Sequence, residues 1–134
     1  MSDWNAQVID EFRSNGGQVA SFARQPLLLL NHRGAKSGTV RTNPLAYFRD
    51  GDDYVIVASK GGAPTNPDWY HNLLENPDAT IEVGTGQLAI SARLADAHER
   101  ERLWAMVTAA NPAFAEYEGK TTRTIPVFIL TPVR

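Results

Sequence analysis

Residues 80 to 94 constrain the fold more than any other stretch. Ile81 and Val83 alternate with Thr80 and Glu82, Gly84-Thr85-Gly86 turns the chain, and Leu88, Ile90, Ala92 and Leu94 then alternate with Gln87, Ala89, Ser91 and Arg93. A period of two places each apolar set on one face of an extended chain. Two such runs joined by a short glycine turn make an antiparallel hairpin. A second hairpin is marked by Pro44 to Arg49 and Tyr54 to Ser59, joined by Asp50-Gly51-Asp52-Asp53. Leu27 to Asn31 adds an apolar strand. Ile125 to Leu130 adds a last one, whose Pro126 suits an edge or entry position.

Between these strands the period changes. Trp4, Val8 and Phe12 fall at i, i+4, i+8 with Ile9 beside them, predicting an amphipathic helix over residues 1–16 closed by Gly16-Gly17. Asn66-Pro67 reads as cap and first helical residue of a second helix, with Trp69/Leu73 and Tyr70/Leu74 as i, i+4 pairs and Asn76-Pro77 as its stop. Asp96 with Glu99 marks a capping box for a third, whose buried face carries Leu103, Trp104, Val107 and Ala110. The predicted order is α-β-β-β-α-β-β-α-β. Antiparallel hairpins with inserted helices define an α+β fold, most simply a small barrel or strongly bent sheet that protects its edges by closing. With 134 residues and no repeat, linker or low-complexity tract, residues 1–134 are expected to form one domain.

Charge narrows the function. The net charge is only −2, yet residues 12–49 lack Asp and Glu while carrying Arg13, Arg24, Arg33, Lys36, Arg41 and Arg49; the acid-free run 54–67 adds Lys60. That asymmetry points to an anionic partner. A pI of 5.9 excludes the strongly basic class that grips nucleic acid, so a small anion is the better fit. No apolar run approaches the roughly 20 residues that span a bilayer. The polar opening Met1-Ser2-Asp3-Trp4-Asn5 lacks a signal peptide's basic region. With no cysteine at all, a reducing, cytoplasmic setting is expected, and a monomer or small homo-oligomer with it.

Two glycine-rich segments lie within this basic region. In His32-Arg33-Gly34-Ala35-Lys36-Ser37-Gly38-Thr39-Val40-Arg41-Thr42, glycines flank a Lys-Ser pair and an Arg follows. Glycines admit an anion close to backbone N–H groups, and Lys and Arg add charge-assisted bonds. It is not a P-loop, because Ala35 and Leu30 occupy the glycine positions and a strand follows where a helix is required. Read alone, it is an anion site or an ordinary turn with a solvated lysine. Ala58-Ser59-Lys60-Gly61-Gly62-Ala63-Pro64 leaves a strand and leads into a helix, whose N-terminus favours negative charge. His32, His71 and His98 have no metal-ligand spacing, so no metal site is expected. Ser59-Lys60 lacks the spacing of a nucleophile dyad. Anion-suited loops without a nucleophile, metal or acid–base pair point to a bound cofactor as the carrier of the chemistry.

Taken together, Gly34-Ala35-Lys36-Ser37-Gly38 with Arg41-Thr42, Pro44-Leu45, Asp50-Gly51, Val57 to Pro64 and Trp69-Tyr70-His71-Asn72-Leu73 resemble the deazaflavin-dependent nitroreductase family. Glu99 to Trp104 and Thr124 to Val127 are similar too, so the resemblance covers roughly residues 9 to 132. It implies a split β-barrel of about six mostly antiparallel strands with peripheral helices. It further implies coenzyme F-420, an 8-hydroxy-5-deazaflavin with a phospholactyl-oligoglutamate tail. By that resemblance Lys36, Ser37, Arg41, Thr42 and Pro44 hold the tail and its surroundings. Ala58, Ser59, Lys60, Gly61, Gly62, Ala63 and Pro64 line the ring and ribityl chain, and Trp69 and Asn72 close the site.

The family's Tyr-Pro-x-Tyr-x-x-Tyr run, which shapes the acceptor pocket, corresponds here to Asn111, Pro112, Phe114 and Tyr117, so two phenols are replaced. Phe114, Tyr117 and Asn111 are the expected acceptor-pocket residues. Tyr117, as donor to the acceptor oxygen, and Ser59, beside the ring, are the expected catalytic ones. The implied activity is hydride transfer from reduced F-420 to a quinone, activated enone or nitroaromatic. An FMN-dependent reductase of the same fold and a non-catalytic deazaflavin carrier are the competing readings. The N-terminal helix is less apolar than in members that associate with membranes, so at most weak membrane-surface association is implied.

Overall fold

The computed structural model describes residues 3–20, 25–59, 62 and 65–133, with side chains from residue 5 onward. Trp4's side chain and residues 60, 61, 63 and 64 lie outside the described residues. The elements are α1 (Asp3–Ser14), β1 (Leu27–Arg33), β2 (Val40–Ala46), β3 (Phe48–Asp50), β4 (Asp53–Val57), α2 (Asp68–Glu75), β5 (Asp78–Val83), β6 (Gly86–Leu94), α3 (Ala97–Ala110), α4 (Ala113–Gly119) and β7 (Val127–Pro132). The strands form one sheet, ordered β2-β1-β5-β6-β7-β4-β3, with each neighbouring pair antiparallel. It curls until β2 comes close to β4.

Three cores explain which residues went where. Inside the curl, Leu28, Leu30, Tyr54, Ile56, Ile81, Ile90, Phe128 and Leu130 pack together, and α2 plugs the end with Trp69 and Leu73. Outside it, Val55, Val57, Val127 and Ile129 face Leu103, Val107 and Phe114 of α3 and α4. On the far side, Leu27 and Leu29 meet Val8, Ile9 and Phe12 of α1. β1 and β4 are thus buried on both faces, the physical reason they read as continuous apolar runs. Each large side chain so buried is worth about 1.5–3 kcal/mol.

The predicted hairpins form. Asp50 pairs with Asp53 across a turn containing Gly51 at φ 63°. Val83 pairs with Gly86 across Gly84-Thr85. Three details differ from the sequence reading. Residues 44–49 are not one strand: β2 already starts at Val40, Tyr47 interrupts the ladder by donating its N–H to Pro26 O (3.3 Å), and β3 follows, giving seven strands. Pro44 is tolerated because β2 is an edge strand. Asn66 does not cap α2; Pro67 occupies the N-cap position, and the Asn66 Oδ1 accepts from Arg123 Nη1 at 2.7 Å instead. Ala113–Gly119 forms a further helix, α4, which the predicted order lacks. The Asp96–Glu99 capping box is present with both reciprocal bonds.

Candidate functional site

Where the sheet fails to close, a groove of about 1260 Å³ runs along β2. Its floor is β2 from Val40 to Ala46. One wall is the exit of β4 (Val57, Ser59) with the start of α2 (Pro67 to Trp69), another is α1, and Phe114 and Tyr117 of α4 close one end. Ligand pockets usually measure about 300–1,000 Å³, so this space suits an elongated ligand. A smaller hollow of about 160 Å³ adjoins it, lined by Gln25, Leu27, Pro44, Ala46, Asn111, Phe114 and Tyr117. The two share Pro44, Ala46, Phe114 and Tyr117.

The predicted residues fall into distinct places. Arg41, Thr42, Pro44, Ser59, Trp69, Phe114 and Tyr117 converge on the groove. Trp69 is also 4% exposed and packs on Phe128, so it serves the core as well as the wall. Ala58 is fully buried and donates its N–H to Pro126 O, and it does not reach the groove. Lys36 and Ser37 sit on the exposed β1–β2 turn beyond the groove lining, with Ser37 Oγ accepting from Thr39 N (3.2 Å). Gly62 has φ 85°, and a Cβ there would meet Tyr117 O at 2.8 Å and Lys120 Cβ at 2.9 Å. Gly62 therefore lies directly against α4 and the residue that follows it, and only glycine fits that approach. Lys60, Gly61, Ala63 and Pro64 lie outside the described residues.

Asn72 does not face open space. Only 8% exposed, it accepts from Ala35 N through Oδ1 (2.9 Å) and bonds His32 Nδ1 through Nδ2 (3.0 Å). His32 Nε2 in turn meets Asn43 Oδ1 at 2.7 Å. Asn111 likewise uses its polar atoms locally: Oδ1 accepts from Ala113 N at the start of α4 and Nδ2 donates to Gln25 Oε1 (2.9 Å). Phe114 stacks edge-on against Phe48 and Tyr117, fixing the mouth of the hollow.

Sequence reasoning missed three contributors. His32 continues the inward alternation of Leu28 and Leu30, a signal that was available. Arg123 clamps the β4 exit, donating from Nη2 to Ser59 O (2.8 Å) and from Nη1 to Asn66 Oδ1; nothing local in the sequence marks it. The inner side of α1 adds Ile9, Asp10 and Arg13 to the groove. Arg13 is engaged by Glu82 at 2.8 Å, a pairing that holds the Glu82 carboxyl below its usual range. Burial holds the His32 imidazole below its ordinary pKa, outweighing the Asn43 bond, so at neutral pH the ring is uncharged.

A half-closed antiparallel barrel with a groove at its split and a small hollow beside it defines a split-barrel protein. The family profile of F-420H(2)-dependent quinone reductases matches residues 4–132. An F-420H(2)-dependent quinone reductase of Mycobacterium tuberculosis is 47% identical over 109 residues, covering 79% of this chain and 73% of the relative. A solved F-420-H2-dependent reductase superposes with a TM-score of 0.72 at 42% identity, covering 78% of this chain and 93% of that one. Another structure, described as a domain-swapped dimer, gives 0.74 at 37% identity over 96% and 97%. The chain belongs to the F-420H(2)-dependent quinone reductase family. Among the described residues, no helix is long and apolar enough to cross a membrane.

Proposed function

We propose that this chain binds reduced coenzyme F-420 in the groove along β2 and passes its hydride to a quinone in the adjoining hollow. When bound, the cofactor supplies two electrons and one proton together as hydride. The protein's task is to hold the two partners against one another and keep water out. Pro44, Ala46, Val57 and Trp69 offer apolar walls for a flat ring, and Arg41 and the β1–β2 turn with Lys36 provide cations for an anionic tail. Phe114 is the apolar face for the acceptor. The Tyr117 hydroxyl hydrogen-bonds the acceptor oxygen that becomes negative as hydride arrives, and a proton completes the hydroquinone.

The observation that supports this reading best is the wall common to groove and hollow, since Pro44, Ala46, Phe114 and Tyr117 border both. The supporting relatives are named as quinone reductases. Anaerobic mixing of the protein and reduced F-420 with a water-soluble quinone is the test. One cofactor oxidised per quinone reduced, saturable in both, is expected. No catalysed oxidation above the protein-free rate contradicts it. A homodimer is the assembly this reading adopts, by analogy with the similar domain-swapped structure, and sedimentation velocity checks it.

A further inference from the structure

The geometry points to His32 as the positioning residue of the anion loop: through Asn72 it seats residues 34–39, and its protonation unseats them and weakens F-420 binding. This rests on the reading that the loop faces the cofactor's anionic tail. It begins from donor–acceptor parity. The Ala35 N–H points at Asn72 Oδ1 (2.9 Å), so the other end of that amide, Nδ2, is what faces His32 Nδ1 (3.0 Å). Nδ1 must therefore be an acceptor, which puts the imidazole proton on Nε2, where it donates to Asn43 Oδ1 (2.7 Å). Every group in the chain Ala35–Asn72–His32–Asn43 has one role, and all the roles agree. His32 and Asn72 are 2% and 8% exposed, so water does not readily replace a lost partner.

An imidazolium cannot satisfy this chain. Its Nδ1–H would confront the Asn72 amide hydrogens, donor against donor. If Asn72 turned over to offer Oδ1 to the ring, its NH2 would confront the Ala35 N–H instead. Either way one bond of the chain is lost. The loop closes on itself through Gly34 N to Thr39 O (2.8 Å) and Gly38 N to Gly34 O (2.9 Å), and the Ala35 bond ties its start to α2; Asn76 Nδ2 reaches only Arg33 O, at 3.4 Å. Among the described residues, the charged and titratable groups around His32 are Arg41 across the β1–β2 ladder, Asp68 on α2, Asp78 of β5 in the hollow on its outer side, and Asp10 and Arg13 of α1 in the groove that His32 also lines. Arg41 disfavours the imidazolium and Asp68 favours it; burial outweighs both, so the charged form is reached only on acidification below about pH 6.5.

If only the neutral form seats the loop, the apparent Kd rises as the inverse of the neutral fraction. That approaches about tenfold per pH unit below the His32 midpoint. Two readouts separate the relay from the cofactor reading. NMR follows His32 titration and Ala35 amide exchange in the ligand-free protein, and equilibrium dialysis measures F-420 binding from pH 5 to 8. The expected result is an Ala35 protection factor, the intrinsic exchange rate divided by the observed one, that falls as His32 is protonated, with F-420 affinity falling over the same range. His32→Gln keeps one acceptor and one donor without titrating, so its affinity should stay flat; any titration of the ligand itself is common to both proteins. Asn72→Asp can accept from Ala35 N and from a protonated Nδ1 at once, so it should flatten or reverse the pH dependence. An Ala35 protection factor indifferent to His32 titration in the natural protein overturns the relay, and needs no variant that folds. Ala35 loosening while F-420 affinity stays flat overturns the coupling. Lys36→Ala without effect on F-420 binding would then assign that failure to the cofactor reading.

Discussion

Arg41 stands opposite His32 on the β1–β2 ladder with its side chain on the groove wall, and Lys36 lies on the turn that begins this ladder. Charge-assisted hydrogen bonds contribute about 1.5–3 kcal/mol each. Arg41→Ala or Lys36→Ala should therefore weaken F-420 binding on the order of tenfold or more. Folding should be almost untouched, because exposed charges add little to it. Binding should also fall with added salt. Equilibrium dialysis and thermal melts read the two quantities separately; affinity unchanged in both variants would return these side chains to the solvated surface. Tyr117 is half-buried at the common wall. Removing one donor from a well-formed oxyanion site costs roughly 10²–10³ in turnover. In an open groove the cost is smaller. Tyr117→Phe should lower kcat for quinones while F-420 affinity and Tm hold. A parent rate with every acceptor tried would mean that the proton comes from solvent.

At the scale of elements, α1 and α3 make contrasting contributions. α1 reaches the body through Val8, Ile9 and Phe12, and the same helix turns Ile9, Asp10 and Arg13 toward the groove. Phe12 is 1% exposed. Phe12→Ala should cost about 3–5 kcal/mol, and the loosened helix should weaken F-420 binding as well, measured at a temperature where the variant remains folded. Affinity identical to the parent's would show that α1 is no part of the site. α3 begins with a capping box whose Glu99 is also held by Arg93 at 2.7 Å. The Arg93 bond, helped by the Asp96 N–H, lowers the Glu99 carboxyl to about 2. Because the folded value is the depressed one, the stabilisation is present above the ordinary glutamate range and is lost as pH falls through about 2. Because the pair lies at the surface, with its Arg93 side chain exposed, the effect on stability is small. NMR titration should find the Glu99 midpoint far below the ordinary range in the parent and raised in Arg93→Gln; an ordinary midpoint in the parent would refute the pairing.

For the whole molecule, legibility followed the range of the physics. The hairpins, the capping box and the Asn76-Pro77 stop are local, so period and turn chemistry located them. The break at Tyr47 was invisible, because it arises from a bond to Pro26 across sheet curvature. Asn66 was misread as a cap because Arg123, 57 residues away, takes its oxygen. The groove residues Arg41, Thr42, Pro44, Ser59, Trp69, Phe114 and Tyr117 were legible through motif resemblance. Asn72 does not line the groove and Asn111 borders only the hollow; each spends its polar atoms on neighbouring backbone and side chains, which spacing in the sequence does not reveal. His32 and Arg123 act only once the fold brings distant segments together. The central claim is spatial: one groove at the split of the barrel takes the deazaflavin. Titration of isotope-labelled protein with F-420, and separately with FMN, followed by NMR, tests it most directly. The account predicts saturable F-420 shifts concentrated at Arg41, Thr42, Ser59, Trp69 and Tyr117, with FMN binding far more weakly. Shifts centred elsewhere, or tight FMN binding without F-420 binding, would contradict it.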